Sequence, residues 1–230
     1  MPTDPRLLPS PDAVLFDLDG TLVDTVEMRI EAWLEALAAA GYPTTRDRLA
    51  PLIGIDGRRL AREVAALAGV ALGDEETETI DRASGELFER LNSRPRPLPG
   101  FSGLVEVLEA RGTVWAIATS SRKEQVAASV ASLRLAREAR IVDASHVTNA
   151  KPAPDLLLLA AEQLGIEPAR CWYVGDSTWD MAAAVAAGMI PIGVTAGAAV
   201  DGPALRGAGA AAVVPDLGAL ADALRDGRSA

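Results

Sequence analysis

The chain has 230 residues, 49% apolar and 23% charged, globular proportions that exclude disorder or a fibrous repeat and suit one domain with an insertion or two small domains. Lys123 and Lys151 are the only lysines, and His146 and Cys171 are the single histidine and cysteine, which excludes an internal disulfide, a cysteine-rich zinc cluster and a multi-histidine metal centre. A formal net charge of −10 argues against nucleic acid or an anionic membrane as partner and leaves carboxylates as the expected catalytic groups.

Residues 1–12 are Pro-rich and polar, a loose tail without a secretory pattern, and with one cysteine they point to a reduced, cytoplasmic setting. Residues 13–18 form a short apolar run without alternation, the pattern of a strand buried on both faces. Residues 25–40 then carry apolar positions at helical spacing (Val26, Ile30, Trp33, Leu34, Leu37) and stop at Gly41, a suitable C-terminal cap. Further helices are expected over 58–67 and 75–91. Pro95, Pro97 and Pro99 stiffen a linker over 94–100. Apolar runs recur at 113–119, 171–175, 189–194 and 211–214, with helical stretches between them. Residues 181–200 have no charge, but Gly188, Pro191, Gly193 and Gly197 break them, so a helix followed by a buried strand is expected, not a membrane span. Strands alternating with helices imply a doubly wound, Rossmann-like parallel α/β sheet. About eighty residues separate Thr25 from Gly103, too many for one crossover helix. Residues 25–94 are therefore expected to be an inserted α-helical cap, and 1–24 with 95–230 the core.

In such folds chemistry collects beyond the carboxyl ends of the strands. After the first strand comes Asp17-Leu18-Asp19-Gly20-Thr21. On extended backbone Asp17 and Asp19 point to one side, and paired carboxylates attract a hard divalent cation such as Mg²⁺. The turn at Gly20 and Thr21 is expected to aim backbone N–H groups at an anion. The second strand ends at Thr119-Ser120-Ser121, hydroxyls beside a helix start and suited to phosphate oxygens or to capping. Lys151 stands in Ala150-Lys151-Pro152-Ala153-Pro154, a loop held by two prolines. Asp176 follows the strand over 171–175, and Asp180 lies one helical turn on, with N-capping by Asp176 as the purely structural alternative. His146 and Cys171 fall in no motif and read as structural.

Together, in this order, these four motifs resemble the haloacid dehalogenase-like hydrolase superfamily, in its phosphoglycolate phosphatase and β-phosphoglucomutase-like branch with a helical cap. The resemblance implies a phosphoric monoester hydrolase acting on a small phosphorylated metabolite. It implies Asp17 as nucleophile forming an aspartyl phosphate, Asp19 as general acid and base, Thr119 on a phosphoryl oxygen and Lys151 offsetting charge. Mg²⁺ is implied on Asp17, the Asp19 carbonyl and Asp176, with Asp180 as a supporting or additional ligand. Gly20, Thr21 and Ser120 are assigned to the substrate, and Arg29 and Arg58 to a second anionic group of it. Asp19 sets the chain apart from dehalogenases, and the cap has none of the lysine that phosphonatases use. Arg29 replaces the cap histidine of the mutases, and Gly175 their acidic residue before the last motif. A sugar-phosphate mutase and a non-catalytic phosphometabolite-binding protein are the alternatives, and the expected assembly is a monomer or homodimer.

Overall fold

A computed structural model of the chain describes residues 4–135 and 139–226; the outermost residues of the expected 1–24 and 95–230 segments lie outside them. β1 (Ala13–Phe16) is buried along its whole length, and its side chains alternate: Val14 and Phe16 enter one apolar cluster, Ala13 and Leu15 another on the opposite face. That is the period of two expected of a strand covered on both sides.

After β1 the chain leaves the sheet for α1 (Val26–Ala39), a short α2 (Arg46–Leu49), α3 (Gly57–Leu67) and α4 (Asp74–Leu91). Gly41 ends α1 with φ +87°, a conformation costly for any residue with a Cβ. This helical insert has its own core, in which Ile30, Trp33 and Leu37 of α1 pack with Leu60 and Val64 of α3 and Ile80 of α4. The outgoing and returning segments lie side by side: Asp24 N–H donates to the Arg96 carbonyl at 2.9 Å and Leu98 N–H to the Leu22 carbonyl at 2.8 Å.

The chain then continues through α5 (Phe101–Arg111), β2 (Val114–Ala118), α6 (Lys123–Ser132), β3 (Arg140–Val142), α7 (Asp155–Leu164), β4 (Cys171–Gly175), α8 (Thr178–Ala187), β5 (Ile190–Val194), α9 (Gly202–Gly207), β6 (Ala212–Val214) and α10 (Leu217–Asp226). The six strands are parallel, in the order β3-β2-β1-β4-β5-β6. The order reverses beside β1, the place where ligands bind in open α/β sheets. Among the described residues, no helix is long and apolar enough to cross a membrane.

The tail is less loose than expected. Trp172 Nε1 donates to the Pro9 carbonyl at 3.0 Å, and Asp12 N–H donates to the Arg170 carbonyl at 3.0 Å, tying it to the start of β4. Cys171 opens that strand fully buried, and burial pushes its thiol up to about 11. His146 accepts the Asp143 N–H through Nδ1 at 3.2 Å.

Candidate active site

Strands β2, β1 and β4 end side by side, so the residues that follow them meet at one edge of the sheet. Lys151, from the loop before α7, donates through Nζ to Asp17 Oδ1 at 2.5 Å and to Asp180 Oδ1 at 2.7 Å. Only 1% of Lys151 is exposed, and an ammonium so far from water needs anionic partners to remain charged. Burial favours losing its proton, but the charges of Asp17 and Asp180 outweigh that and hold Lys151 above its ordinary value. At Asp17 burial wins over the attraction of Lys151, and with the Asp180 and Asp19 charges nearby its carboxyl is pushed up to about 7. Burial, then the charges of Asp180 and Asp17, raise Asp176 well above the usual carboxylate range.

Asp180 holds this end of the site together. Its Oδ1 also accepts from the Tyr173 hydroxyl at 3.1 Å, and its Oδ2 accepts from Ser177 N–H at 3.0 Å and Ser177 Oγ at 2.6 Å. The side chain fits because Gly175 is bare: a Cβ there would lie 2.4 Å from Asp180 Cβ. Ser177, not Asp176, caps α8, its Oγ accepting the Asp180 N–H at 3.1 Å, which releases Asp176 from the structural role.

Two residues beyond Asp17, Asp19 meets different partners. Arg29 Nη2, from α1, donates to Asp19 Oδ2 at 2.7 Å and to Ser121 Oγ at 2.8 Å. Ser121 Oγ donates to Asp19 Oδ2 and Thr25 Oγ1 to Asp19 Oδ1, each at 2.7 Å. Burial pulls the Asp19 carboxyl upward, but the Arg29 charge and the hydrogen bonds from Ser121, Thr25 and Arg29 together outweigh it and hold Asp19 below the usual range. The guanidinium lies 3.4 Å from the ring centre of Phe88. The hydroxyls after β2 do not cap α6. Arg122 is the capping residue, Thr119 Oγ1 accepts the Ser121 N–H at 3.1 Å, and the buried Ser120 Oγ has no hydrogen-bond partner among the described residues.

The donor set suits a divalent cation. Carboxylate oxygens of Asp17, Asp176 and Asp180 lie within 4.8 Å of one another, three acids facing one ammonium, and an all-oxygen set with excess negative charge is the chemistry of a hard metal ion. Gly20 makes room for the Asp176 carboxylate, since a Cβ there would stand 2.3 Å from Asp176 Oδ2. Both oxygens of Asp180 are committed to protein donors. Asp180 thereby orients Lys151 within the acidic set, while Asp17 and Asp176 each keep one oxygen that accepts no hydrogen bond among the described residues.

Other expected substrate contacts are placed differently. The Gly20 N–H donates to the Val23 carbonyl at 2.8 Å, closing the turn on itself instead of facing an anion. Thr21 is fully buried, and its hydroxyl donates to Asp176 Oδ1 at 3.0 Å, so it steadies the acidic cluster. Arg58 has a side chain 45% exposed, pairs with Asp56 at 3.5 Å and lines the cleft that adjoins, at Gly57 and Asp81, the cavity over the strand tips. That cavity, about 60 Å³, lies between the sheet edge and the insert, and is small against the ~300–1,000 Å³ of clefts that enclose drug-sized ligands. Asp17, Asp19, Thr119, Ser120 and Asp176 line one side and Trp33, Ile53, Ile55 and Leu60 the other. Ser121 lines it beside Thr119 and Ser120, and Gln125 and Asp81 also line it without any mark in the sequence. Ser121 was legible as the third hydroxyl of Thr-Ser-Ser, but nothing local marks Asp81.

Carboxylates at the ends of β1 and β4, a buried lysine between them and a helical insert above define a hydrolase of the doubly wound class. The family model of haloacid dehalogenase-like hydrolases matches residues 14–194. Among curated relatives, an N-acetylmuramic acid 6-phosphate phosphatase of Pseudomonas aeruginosa is 33% identical over 174 residues, 74% of this chain and 75% of that one. A phosphoglycolate phosphatase of Xylella fastidiosa is 35% identical over 186 residues, 78% of each chain. The crystal structure of a hydrolase from Pseudomonas syringae superposes with a TM-score of 0.89 at 33% identity, covering 94% of this chain and 99% of that one. The chain belongs to the haloacid dehalogenase-like hydrolase family.

Proposed function

We propose that this phosphoric monoester hydrolase is Mg²⁺-dependent, acts on a small phosphorylated metabolite and works through an aspartyl phosphate on Asp17. The observation that carries the reading is the convergence of Asp17, Asp176 and Lys151 in one buried cluster. Asp17 and Asp176 would hold the metal, which when bound neutralises charge so that an anionic carboxylate and an anionic phosphate can approach. Asp17 attacks phosphorus as the ester oxygen departs, and Lys151 offsets the charge gathering between them. Asp19 delivers a proton to the leaving oxygen and, as a carboxylate again, takes one from the water that cleaves the acyl phosphate. Thr119 and Ser120 offer hydroxyls to the phosphoryl oxygens. Residues 25–94 act as a cap, since the cavity of about 60 Å³ between them and the strand tips leaves a substrate too little room unless they lift. The protein is expected to work in the cytoplasm, with a free small molecule as partner.

Asp17→Asn keeps the size of the nucleophile and removes its charge. In that variant, turnover of p-nitrophenyl phosphate in Mg²⁺ is expected to vanish, and in the wild type it is expected to stop with EDTA. Phosphate release that survives either change overturns the mechanism. Conversion of a hexose 1-phosphate to its 6-phosphate, followed by NMR, in place of hydrolysis would make the chain a mutase.

A further inference from the structure

The cavity has a phosphoryl end, served by the strand tips, and an insert end, which meets whatever the phosphate is esterified to. Four carboxylates line the cavity, Asp17, Asp19, Asp81 and Asp176, against one cation, Arg29. Arg29 is already committed to Asp19, Ser121 and Gln125. The nearby Arg122 is turned to Asp81 Oδ2 at 2.7 Å and Glu78 Oε2 at 3.0 Å. Among the described residues, no lysine or arginine presents an unpaired charge to the insert end.

Asp81 has an unused acceptor there. Arg122 occupies Oδ2, whereas Oδ1 receives no hydrogen bond among the described residues and stands over bare Gly57, where a Cβ would lie 1.9 Å from it. Gly57 and Asp81 both line the cavity, and the Asp81 side chain is 13% exposed. A carboxylate oxygen with free lone pairs accepts from a hydroxyl and repels an anion. The flanking Trp33, Ile53 and Leu60 offer apolar surface to C–H groups.

We infer that the leaving group is an uncharged, hydroxyl-bearing polyol or sugar, one hydroxyl of which donates to Asp81, and that esters carrying a second anion such as a carboxylate are rejected. This rests on the phosphatase reading above. It also replaces the expectation that Arg29 or Arg58 holds a second anionic group, since Arg29 is spent on Asp19 and Arg58, in the adjoining cleft, is paired with Asp56. Arg122 is a positioning residue in this scheme, acting through Asp81.

The test compares kcat/KM in Mg²⁺ for glycerol 1-phosphate and fructose 1-phosphate with that for 2-phosphoglycolate and 3-phosphoglycerate, with p-nitrophenyl phosphate measured alongside. In the wild type the neutral esters are expected to be favoured at least about tenfold, the scale of one hydrogen bond to a charged group. Asp81→Asn is expected to lower the neutral-to-carboxylated ratio about tenfold, and Asp81→Lys to invert it. A ratio within one preparation does not depend on the fraction folded, and Asp81→Asn suffices if the lysine variant does not fold. A wild-type preference for the carboxylated esters, or a ratio unmoved by Asp81→Asn, overturns the inference while aryl phosphate turnover leaves the phosphatase reading standing. Absence of turnover with every ester overturns both.

Discussion

The site holds its two buried cations in different ways. Lys151 is gripped by Asp17, just after β1, and by Asp180 in α8, so all three partners belong to the sheet and the helices packed on it. Arg29 belongs to α1 of the insert, and its acceptors Asp19, Ser121 and Gln125 belong to the sheet side. Lifting the insert would break the second arrangement; in the first it would cost only the Asp56 N–H to Lys151 carbonyl bond at 3.3 Å and leave the side-chain partners in place. The carboxyls record the difference: Asp17 is pushed up to about 7, while Asp19, two residues away, is held below the usual range. The partners of Asp17 lie on one body, and those of Asp19 on two.

The severest way to break this comparison is to remove the lysine. Lys151→Met leaves Asp17 and Asp180 buried without a counter-charge, and loss of one partner from a buried pair costs about 3–5 kcal/mol. A melting temperature and denaturation midpoint near those of the wild type would show that the cluster is not held as described. Arg29→Ala should act on chemistry more than on stability. Without the guanidinium the Asp19 carboxyl rises, so the alkaline limb of the kcat/KM profile, set by the group that must give a proton to the leaving oxygen, is expected to move to higher pH, with roughly a tenfold fall at its maximum. An unshifted limb would detach Arg29 from Asp19. The smallest effect is thermodynamic linkage. Between about pH 4 and pH 7 the folded, metal-free chain holds protons on Asp17 and Asp176 that the unfolded chain has released, so this contribution to stability is lost as pH rises through that window. A divalent cation held by Asp17 and Asp176 would compete with those protons, and the rise in melting temperature at saturating Mg²⁺ is expected to be larger at pH 7.5 than at pH 5. An equal rise at both values would place the metal elsewhere.

Much of this geometry was legible in sequence because it is local. The spacing of Asp17 and Asp19 fixes which way both point, and short apolar runs mark β1, β2, β4, β5 and β6. β3 escaped notice because three residues, Arg140–Val142, half-exposed at one end, carry too few apolar positions to make a pattern. The sequence alone leaves open which residue caps α8, because Asp176 and Ser177 are both capable, and only the approach of Asp180 past bare Gly175 decides between them. The partners of Arg29, 92 and 96 residues away along the chain, leave no periodic trace. Arg122 and Asp81, 41 residues apart, are equally silent, because such pairs exist only once the insert has docked on the sheet.

The lone cysteine has a practical consequence. Cys171 is fully buried and is the chain's one native thiol, so a maleimide applied to the folded protein has nothing to react with. Cysteines substituted at Leu67 on α3 and Val185 on α8, residues 64% and 55% exposed, would give a unique pair of attachment points. Two dyes there would follow the distance between insert and sheet in single molecules, without first engineering a cysteine-free background.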